Sequence, residues 1–177
     1  MGFRIYDSFA FLHGVKDVPG SNSLTSRSLP ISGVVYLLRN VANELLAGHK
    51  VAITADCQFG TSENRKLEGY KSNRRKQPSI LVQAVLLEKI CKDCGIPFYK
   101  GFGEADDHIY GLCQSIQASA EYNDDPEIII YSNDGDIWHN INYNGVSVKA
   151  ATAASINVNS NNFYSVVRDK YTATQIV

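Results

Sequence analysis

Acidic residues recur in this sequence where apolar, strand-like segments end. Asp7, Asp56 and Asp134 each follow such a segment within three residues. A further acidic group opens the helix predicted after another such segment: Glu104, Asp106 and Asp107. Carboxylates crowded together repel one another, so a cluster of them is stabilised when a cation neutralises it. Their hard oxygen atoms are typical ligands of Mg²⁺ or Mn²⁺.

One segment of the chain is strongly basic, although the net charge is only −1, from 17 basic and 18 acidic residues. Six Lys or Arg residues lie between Glu63 and Lys76, where only Glu63 and Glu68 oppose them. Such a segment can neutralise phosphates. Two divalent ions about 4 Å apart can activate a water and stabilise the leaving oxygen in phosphodiester cleavage. The acids and the basic segment together therefore predict a metal-dependent nuclease.

The elements that must position these acids alternate between strands and helices. Apolar β-rich runs predict strands, and apolar residues at helical spacing predict helices. The strands are Phe3–Tyr6, Val51–Ala55, Ile96–Tyr99 and Glu127–Tyr131, and the helices are Val34–Leu46, Ile80–Cys94 and 104–120. This alternation predicts a three-layer α/β domain with a mainly parallel central sheet flanked by helices. The carboxyl ends of its strands share one edge, so the acids are expected to converge there.

Other segments carry weaker signals. The stretch Gly14–Ser32 is rich in Ser, Gly, Asn and Pro and predicts a loop. Asn144 and Gly145 between two apolar runs predict a β-hairpin. The segment 162–171 is predicted to be helical. Cys91 and Cys94 have a CxxC spacing, but no second pair completes a zinc site, so we interpret them as reduced core cysteines rather than as metal or redox ligands.

Length and composition favour one globular domain over 1–177. Hydrophobic residues make up 44% and charged residues 20%, which is typical of a globular chain and unlike a disordered, collagen-like or coiled-coil protein. The apolar runs are too short to span a membrane. The N-terminal residues carry charge where a signal peptide needs an apolar stretch, so we predict a soluble intracellular protein without a membrane partner.

Each feature also has a simpler interpretation. A single Asp at the end of a strand is usually a turn or helix-cap residue. Glu104 and Asp107 can stabilise a helix N-terminus without any further role. A basic run is often a solvated helix face. The recurrence of acids at four successive strand ends favours the functional interpretation.

Several motifs resemble the 5′-nuclease superfamily, which includes flap endonucleases, phage 5′–3′ exonucleases and the nuclease domain of bacterial DNA polymerase I. These motifs occur in family order across nearly the whole chain. They are Gly33–Tyr36, Tyr70–Arg74, Gly95–Pro97, Gly103–Asp107 and Ser132–Asp136. The resemblance implies a PIN-like fold and a Mg²⁺- or Mn²⁺-dependent 5′–3′ exonuclease or flap endonuclease. It also implies DNA 5′ ends, flaps or single-stranded tails as partners, and the cytoplasm of a bacterial or phage-infected cell.

The resemblance assigns roles to individual residues. The metal-binding carboxylates would be Asp7, Asp56, Glu104, Asp106, Asp107, Asp134 and Asp136. Lys71 and Arg74 would be catalytic, because they bind the scissile phosphate and offset the charge of the transition state. Tyr70 would stack on a terminal base, unless it is ordinary half-buried packing. Further nucleic-acid contacts are expected from the basic segment, at Arg65, Arg75 and Lys76.

The sequence departs from the family pattern in places. Ser8 replaces the usual glycine after the first aspartate, Gly135 replaces a lysine, and His13 stands where a basic residue is expected. The chain ends at Val177, before a family segment that supplies further carboxylates and grips duplex DNA. We therefore expect part of a split enzyme completed by a separate chain, a minimal nuclease, or an inactive relative that only binds nucleic acid. A PIN-type ribonuclease is a further alternative.

Overall fold

The computed structural model describes residues 1–14, 25–26, 29–56, 78–101, 103–119, 126–142, 145–151, 157–159 and 161–162. The strands within these ranges are β1 (Phe3–Asp7), β2 (Thr25–Ser26), β3 (Leu29–Pro30), β4 (Lys50–Thr54), β5 (Phe98–Tyr99), β6 (Ile128–Tyr131), β7 (Val146–Lys149) and β8 (Asn157–Val158). The helices are α1 (Ser8–Gly14), α2 (Ser32–Leu46), α3 (Pro78–Cys94), α4 (Ala105–Ala118) and a 3-10 helix (Gly135–Asn142).

Six of these strands form one sheet in the order β5-β4-β1-β6-β7-β8. β5, β4, β1, β6 and β7 are parallel to their neighbours, and β8 is antiparallel to β7 at the edge. The chain moves outward from β1 to β4 and β5, and then returns to β6 on the other side of β1. In open α/β sheets, ligands bind beyond the carboxyl ends of the strands at such a reversal. The end of β1 is therefore the expected site.

Two apolar cores cover the two faces of the sheet. On one face, α1, α2 and α3 bury Phe11, Leu37 and Leu87 with Tyr6 of β1. On the other face, α4 and the 3-10 helix pack against the alternate residues of β1 and β6, in a core that includes Ile5, Ile109, Cys113, Ile130 and Ile137. Successive residues of a strand point to opposite faces, so β1 contributes to both cores. The predicted three-layer α/β fold is confirmed, and the four strands and three helices predicted around the acids agree with the observed ones within two residues.

The predicted hairpin at Asn144–Gly145 is wrong. The residues before it form the 3-10 helix, which buries Ile137 and Trp138 in the core beside α4. β7 then pairs in parallel with β6 rather than antiparallel with a preceding strand. Gly145 does adopt a positive φ of 72° at the end of the connection to β7. The prediction failed because the apolar run before this glycine is too short to distinguish a strand from a helix.

The predicted loop Gly14–Ser32 is also partly wrong. Gly14 ends α1, Ser32 begins α2, and β2 and β3 between them form a two-stranded antiparallel sheet. The helix predicted at 162–171 lies outside the described residues, except for its first residue. In the described part of the chain, no helix is long and apolar enough to cross a membrane.

The cysteine prediction is confirmed for Cys91 and wrong for Cys94. Both are free thiols, but Cys91 is buried against the sheet, whereas Cys94 is exposed at the last residue of α3. Burial raises the pKa of the Cys91 thiol to about 11, which keeps it protonated and unreactive at neutral pH. Cys57 lies outside the described residues.

Candidate metal centre

Asp7 is a buried carboxylate at the end of β1, with an exposed fraction of 7%. Its Oδ1 accepts hydrogen bonds from the backbone N–H groups of Phe9 (3.1 Å) and Ala10 (3.3 Å) in the first turn of α1. Its Oδ2 accepts a hydrogen bond of 2.8 Å from the Ser132 hydroxyl. Asp7 therefore caps α1, as the simpler interpretation predicted, and it also reaches the end of β6.

The surroundings of Asp7 favour its protonated form. Burial raises the pKa of this carboxyl from the usual 3.8 to about 6, against the lowering effect of the bonds from Ser132 and Ala10. The charges of Asp56 and Asp134 raise the pKa further. These two acids follow β4 and β6, which flank β1 on either side. The acids at three neighbouring strand ends therefore lie close enough for their charges to interact.

Asp56 connects the end of β4 to α4. Its Oδ1 accepts a hydrogen bond of 2.9 Å from the backbone N–H of Ala105, the first residue of α4. Asp106, one residue further on, is half-buried. Burial raises the pKa of Asp106, and the charges of Asp107, Glu104 and Asp56 raise it further. The like charges thus continue from the strand ends into the first turn of α4.

The turn before α4 requires a glycine. Gly103 has a φ of 129°, which side-chain-bearing residues rarely adopt, and a Cβ there would lie 2.9 Å from Asp107 Oδ2. That same oxygen accepts a 3.1 Å hydrogen bond from the backbone N–H of Glu104, the N-cap residue of α4. Asp107 thereby closes the turn that presents Glu104, which agrees with its predicted structural role at a helix N-terminus.

Asp134 and Asp136 lie in the turn after β6 and are both exposed. The Asp134 N–H donates to the Ser132 hydroxyl at 3.1 Å, and its Oδ1 accepts the N–H of Asp136 at 3.1 Å. Asp136 begins the 3-10 helix with Gly135. Asp134 therefore belongs to the group of interacting acids around Asp7, and Asp136 is held next to it by the backbone.

The chemistry of these groups suits a hard divalent cation, because the donors are carboxylate oxygens. The hydrogen-bond partners of Asp7 among the described residues are neutral, so a cation would relieve a buried charge that lies beside like charges. Within the described ranges, no three His, Cys, Asp or Glu side chains are already arranged around one metal position. The seven acids thus lie at one edge of the sheet, and their role as ligands stays a prediction.

The remaining predicted site residues lie outside the described residues. They are Lys71 and Arg74, predicted to be catalytic, and the predicted nucleic-acid contacts Tyr70, Arg65, Arg75 and Lys76. Their roles stay predictions.

The role of Ser132 was not predicted from the sequence. This residue is 3% exposed, and its hydroxyl connects the Asp7 carboxylate to the Asp134 backbone. The available signal was its position, two residues before Asp134 at the end of a strongly apolar strand. Ser at that distance commonly bonds the backbone of a following turn.

A three-layer α/β domain with acids at the carboxyl edge of its sheet is the architecture of the 5′-nuclease superfamily. The sequence matches the family described as 5′-3′ exonuclease, N-terminal resolvase-like domain, over residues 3–171. The chain therefore belongs to this family. A search of curated protein sequences finds no match.

Solved structures share the fold at low sequence identity. The bacteriophage T5 D15 protein co-crystallized with metal ions is 16% identical, with a TM-score of 0.67 over 94% of this chain and 60% of that one. T5 D15 flap endonuclease in a complex with DNA and metal ions is 19% identical, with a TM-score of 0.61 over the same shares. Human GEN1 with Holliday junction DNA is 11% identical, with a TM-score of 0.59 over 94% of this chain and 40% of that one. The chain thus spans about 40 to 60% of these proteins.

Proposed function

We propose that this chain is a divalent-metal-dependent 5′ nuclease that hydrolyses phosphodiester bonds in DNA, at 5′ ends or flaps. The observation that carries the proposal is the buried Asp7 carboxylate at the strand-order reversal, beside the charges of Asp56 and Asp134. Membership of the exonuclease family supports a nuclease fold. An acidic cluster that destabilises the metal-free protein is expected where a cation binds.

The proposed cation is Mg²⁺ or Mn²⁺, held by the seven acids at the sheet edge. When bound, divalent ions supply Lewis-acid activation of water and stabilise the leaving oxygen. The chain's own contribution is to hold the carboxylates in place. Backbone N–H groups fix Asp7 at α1 and Asp56 at α4, and the Ser132 hydroxyl fixes the second oxygen of Asp7.

The proposed substrate contacts rest on the sequence. Lys71 and Arg74 bind the scissile phosphate, Tyr70 stacks on a terminal base, and Arg65, Arg75 and Lys76 neutralise phosphates. DNA as the partner is supported by the complexes of T5 flap endonuclease and human GEN1 with DNA. A separate chain that completes the enzyme has no support in these comparisons and stays a prediction, as does the cytoplasmic location.

The direct test uses the 177-residue chain with a 5′-flapped DNA duplex and either Mn²⁺, Mg²⁺ or EDTA. We expect cleavage near the flap junction with either metal and none with EDTA. Asp106→Asn should abolish cleavage, because it removes a proposed metal ligand. It should leave the circular dichroism spectrum unchanged, because it relieves repulsion in the metal-free site. Asp93→Asn is the matched control, since Asp93 is an exposed acid paired with Lys89 on α3. Normal cleavage by Asp106→Asn would refute the assignment of this acid.

Other results identify the alternatives. DNA binding that persists in EDTA, without cleavage in metal, would identify a non-catalytic nucleic-acid-binding module. Preferential cleavage of single-stranded RNA would identify a PIN-type ribonuclease. Lys71→Ala should lower the turnover number more than it lowers Mn²⁺ affinity, and an equal loss of both would indicate a structural role for Lys71.

A further inference from the structure

His108 holds the connection that leads from β5 into the acidic first turn of α4. Its Nε2 atom accepts a hydrogen bond of 3.1 Å from the backbone N–H of Gly101. The ring also lies against the glycine itself, because a Cβ at Gly101 would be only 3.2 Å from His108 Cε1. The imidazole thus packs on the start of the connection while its own backbone belongs to α4.

Acid side chains accept two of the hydrogen bonds that fix the end of this connection. Ala105 N–H donates to Asp56 Oδ1 at 2.9 Å, and Glu104 N–H donates to Asp107 Oδ2 at 3.1 Å. Both acceptors are carboxylates proposed to bind the cation. A carboxylate has about four lone-pair sites, so it can accept such a hydrogen bond and also bind a cation. The acceptor in the Gly101–His108 bond is a ring nitrogen outside that set of oxygens, so this bond fixes the connection without using a proposed ligand atom.

We propose that His108 is a positioning residue, which keeps Glu104 and Asp106 in place for metal binding by holding Gly101 against α4. This inference rests on the proposed metal-dependent function. It adds a residue outside the acidic and basic sets that the sequence assigned to the site. The Lys100–Glu88 ion pair, 2.6 Å long, holds the residue before Gly101 to α3, so the connection is fixed at its start from two helices.

The test compares two substitutions of similar size in the full chain. His108→Gln places an amide oxygen where Nε2 accepts, whereas His108→Leu removes the acceptor. Calorimetric titration with Mn²⁺ should show affinity about 10-fold weaker for His108→Leu, as for the loss of other groups that orient metal ligands. His108→Gln should bind Mn²⁺ like the wild type. Amide hydrogen exchange at Gly101 should be faster in the Leu variant alone.

Two further variants separate positioning from stability. In Gly101→Ala the new methyl group presses on the His108 ring and displaces it from residue 101. This variant should weaken Mn²⁺ binding as His108→Leu does. His49→Leu is the matched control, because His49 Nδ1 likewise accepts a hydrogen bond from a glycine N–H, that of Gly2 at 3.2 Å. His49 precedes the amino end of β4, at the opposite edge of the sheet from the acids. We expect His49→Leu to lower the melting temperature and leave Mn²⁺ affinity unchanged.

The outcomes distinguish this inference from the proposed function. Wild-type chain that binds no Mn²⁺ overturns both. Wild-type chain that binds Mn²⁺ and cleaves DNA, with His108→Leu matching His49→Leu in Mn²⁺ affinity, overturns the role of His108 alone. Equal loss in His108→Gln and His108→Leu also overturns it. If His108→Leu does not fold, weak Mn²⁺ binding by Gly101→Ala with normal binding by His108→Gln supports the inference, and any other result for this pair overturns it.

Discussion

The first strand buries a charged side chain near each end, and the two ends treat that charge in opposite ways. Arg4 is 5% exposed, and Asp7, three residues later, is 7% exposed. Arg4 donates to two carboxylates, Glu44 at 3.1 Å and Glu127 at 2.8 Å. Asp7 accepts from neutral donors and lies beside the like charges of Asp56 and Asp134. Within the described residues, the protein therefore pairs the buried charge at the amino end of β1 with opposite charges, whereas the buried charge at the carboxyl end has no paired cation.

The titration behaviour of the two ends shows the same difference. Burial alone would raise the pKa of Glu44, but hydrogen bonds from Tyr131 and Arg4, together with the Arg4 charge, lower it overall. At the other end, burial and like charges raise the pKa of Asp7 to about 6. We interpret the amino end, where the buried charge is paired, as structural, and the carboxyl end, where like charges repel, as the candidate functional end. Substitutions at the two ends should therefore have opposite effects on stability.

Arg4→Met should produce the largest effect, a loss of about 3–5 kcal/mol in the free energy of unfolding, because it leaves Glu44 half-buried without its cation. Urea unfolding of the metal-free protein measures this loss. Lys89→Met is the control, since it removes a cation from the exposed Lys89–Asp93 pair and should cost less than about 0.5 kcal/mol. Equal losses for the two variants would contradict the assigned importance of the Arg4 network.

Asp7→Asn should act in the opposite direction and stabilise the metal-free protein at neutral pH. The folded chain raises the pKa of Asp7 from 3.8 to about 6, so the folded state favours the protonated acid. The stability that the protonated Asp7 contributes is complete below about pH 4 and is lost as the pH rises through 6. At pH 8 the loss amounts to about 3 kcal/mol, and removing the charge should recover up to that amount.

Urea unfolding of wild type and Asp7→Asn in EDTA at pH 5 and pH 8 isolates this group. The rest of the chain is common to both proteins, so the difference between the two curves reports the Asp7 charge and its interactions with Asp56 and Asp134. The free energy of unfolding of Asp7→Asn should increase relative to that of the wild type between pH 5 and pH 8. Parallel curves would show that the Asp7 charge carries no penalty, and the contrast between the two ends of β1 would fail.

Ser132→Ala should have a smaller effect, a loss of about 1–2 kcal/mol, because it removes the donor to Asp7 and the acceptor for the Asp134 N–H. It should also raise the pKa of Asp7 further and weaken Mn²⁺ binding. Ser8→Ala is the matched control. In the part of the chain that the structure describes, the buried Ser8 hydroxyl has no hydrogen-bond partner, so its removal should be nearly neutral. A loss in Ser8→Ala as large as in Ser132→Ala would count against the bridging role.

The carboxyl end of β1, the candidate functional end, was more predictable from the sequence than the amino end. Asp7, Asp56 and Asp134 could be placed together because parallel strands end at one edge, which requires only the pattern of strands and helices. Arg4 gives no such signal. Its partners Glu44 and Glu127 are 40 and 123 residues away, and pairing over such distances depends on register that the apolar pattern leaves open.

Local structure near the site was harder to predict for a different reason. α1 has seven residues and follows β1 without a break, so its apolar residues were too few to show a helical period. The cap and ligand interpretations of Asp7 do not exclude each other, because Oδ1 caps α1 while the side chain lies beside Asp56 and Asp134. His108 directly follows Asp107, but only the fold shows that its ring reaches back to Gly101.

Glu127→Gln should have the smallest effect and shows which acid compensates Arg4. The Glu127 side chain is 59% exposed, whereas that of Glu44 is 21% exposed and also accepts from Tyr131 at 2.6 Å. Water screens the exposed pair, so Glu127→Gln should cost less than about 1 kcal/mol, and Glu44→Gln should cost more. Urea unfolding of the two Gln variants compares them directly. A larger loss for Glu127→Gln would mean that the exposed acid dominates, and the buried charge at the amino end would then be paired mainly from the surface.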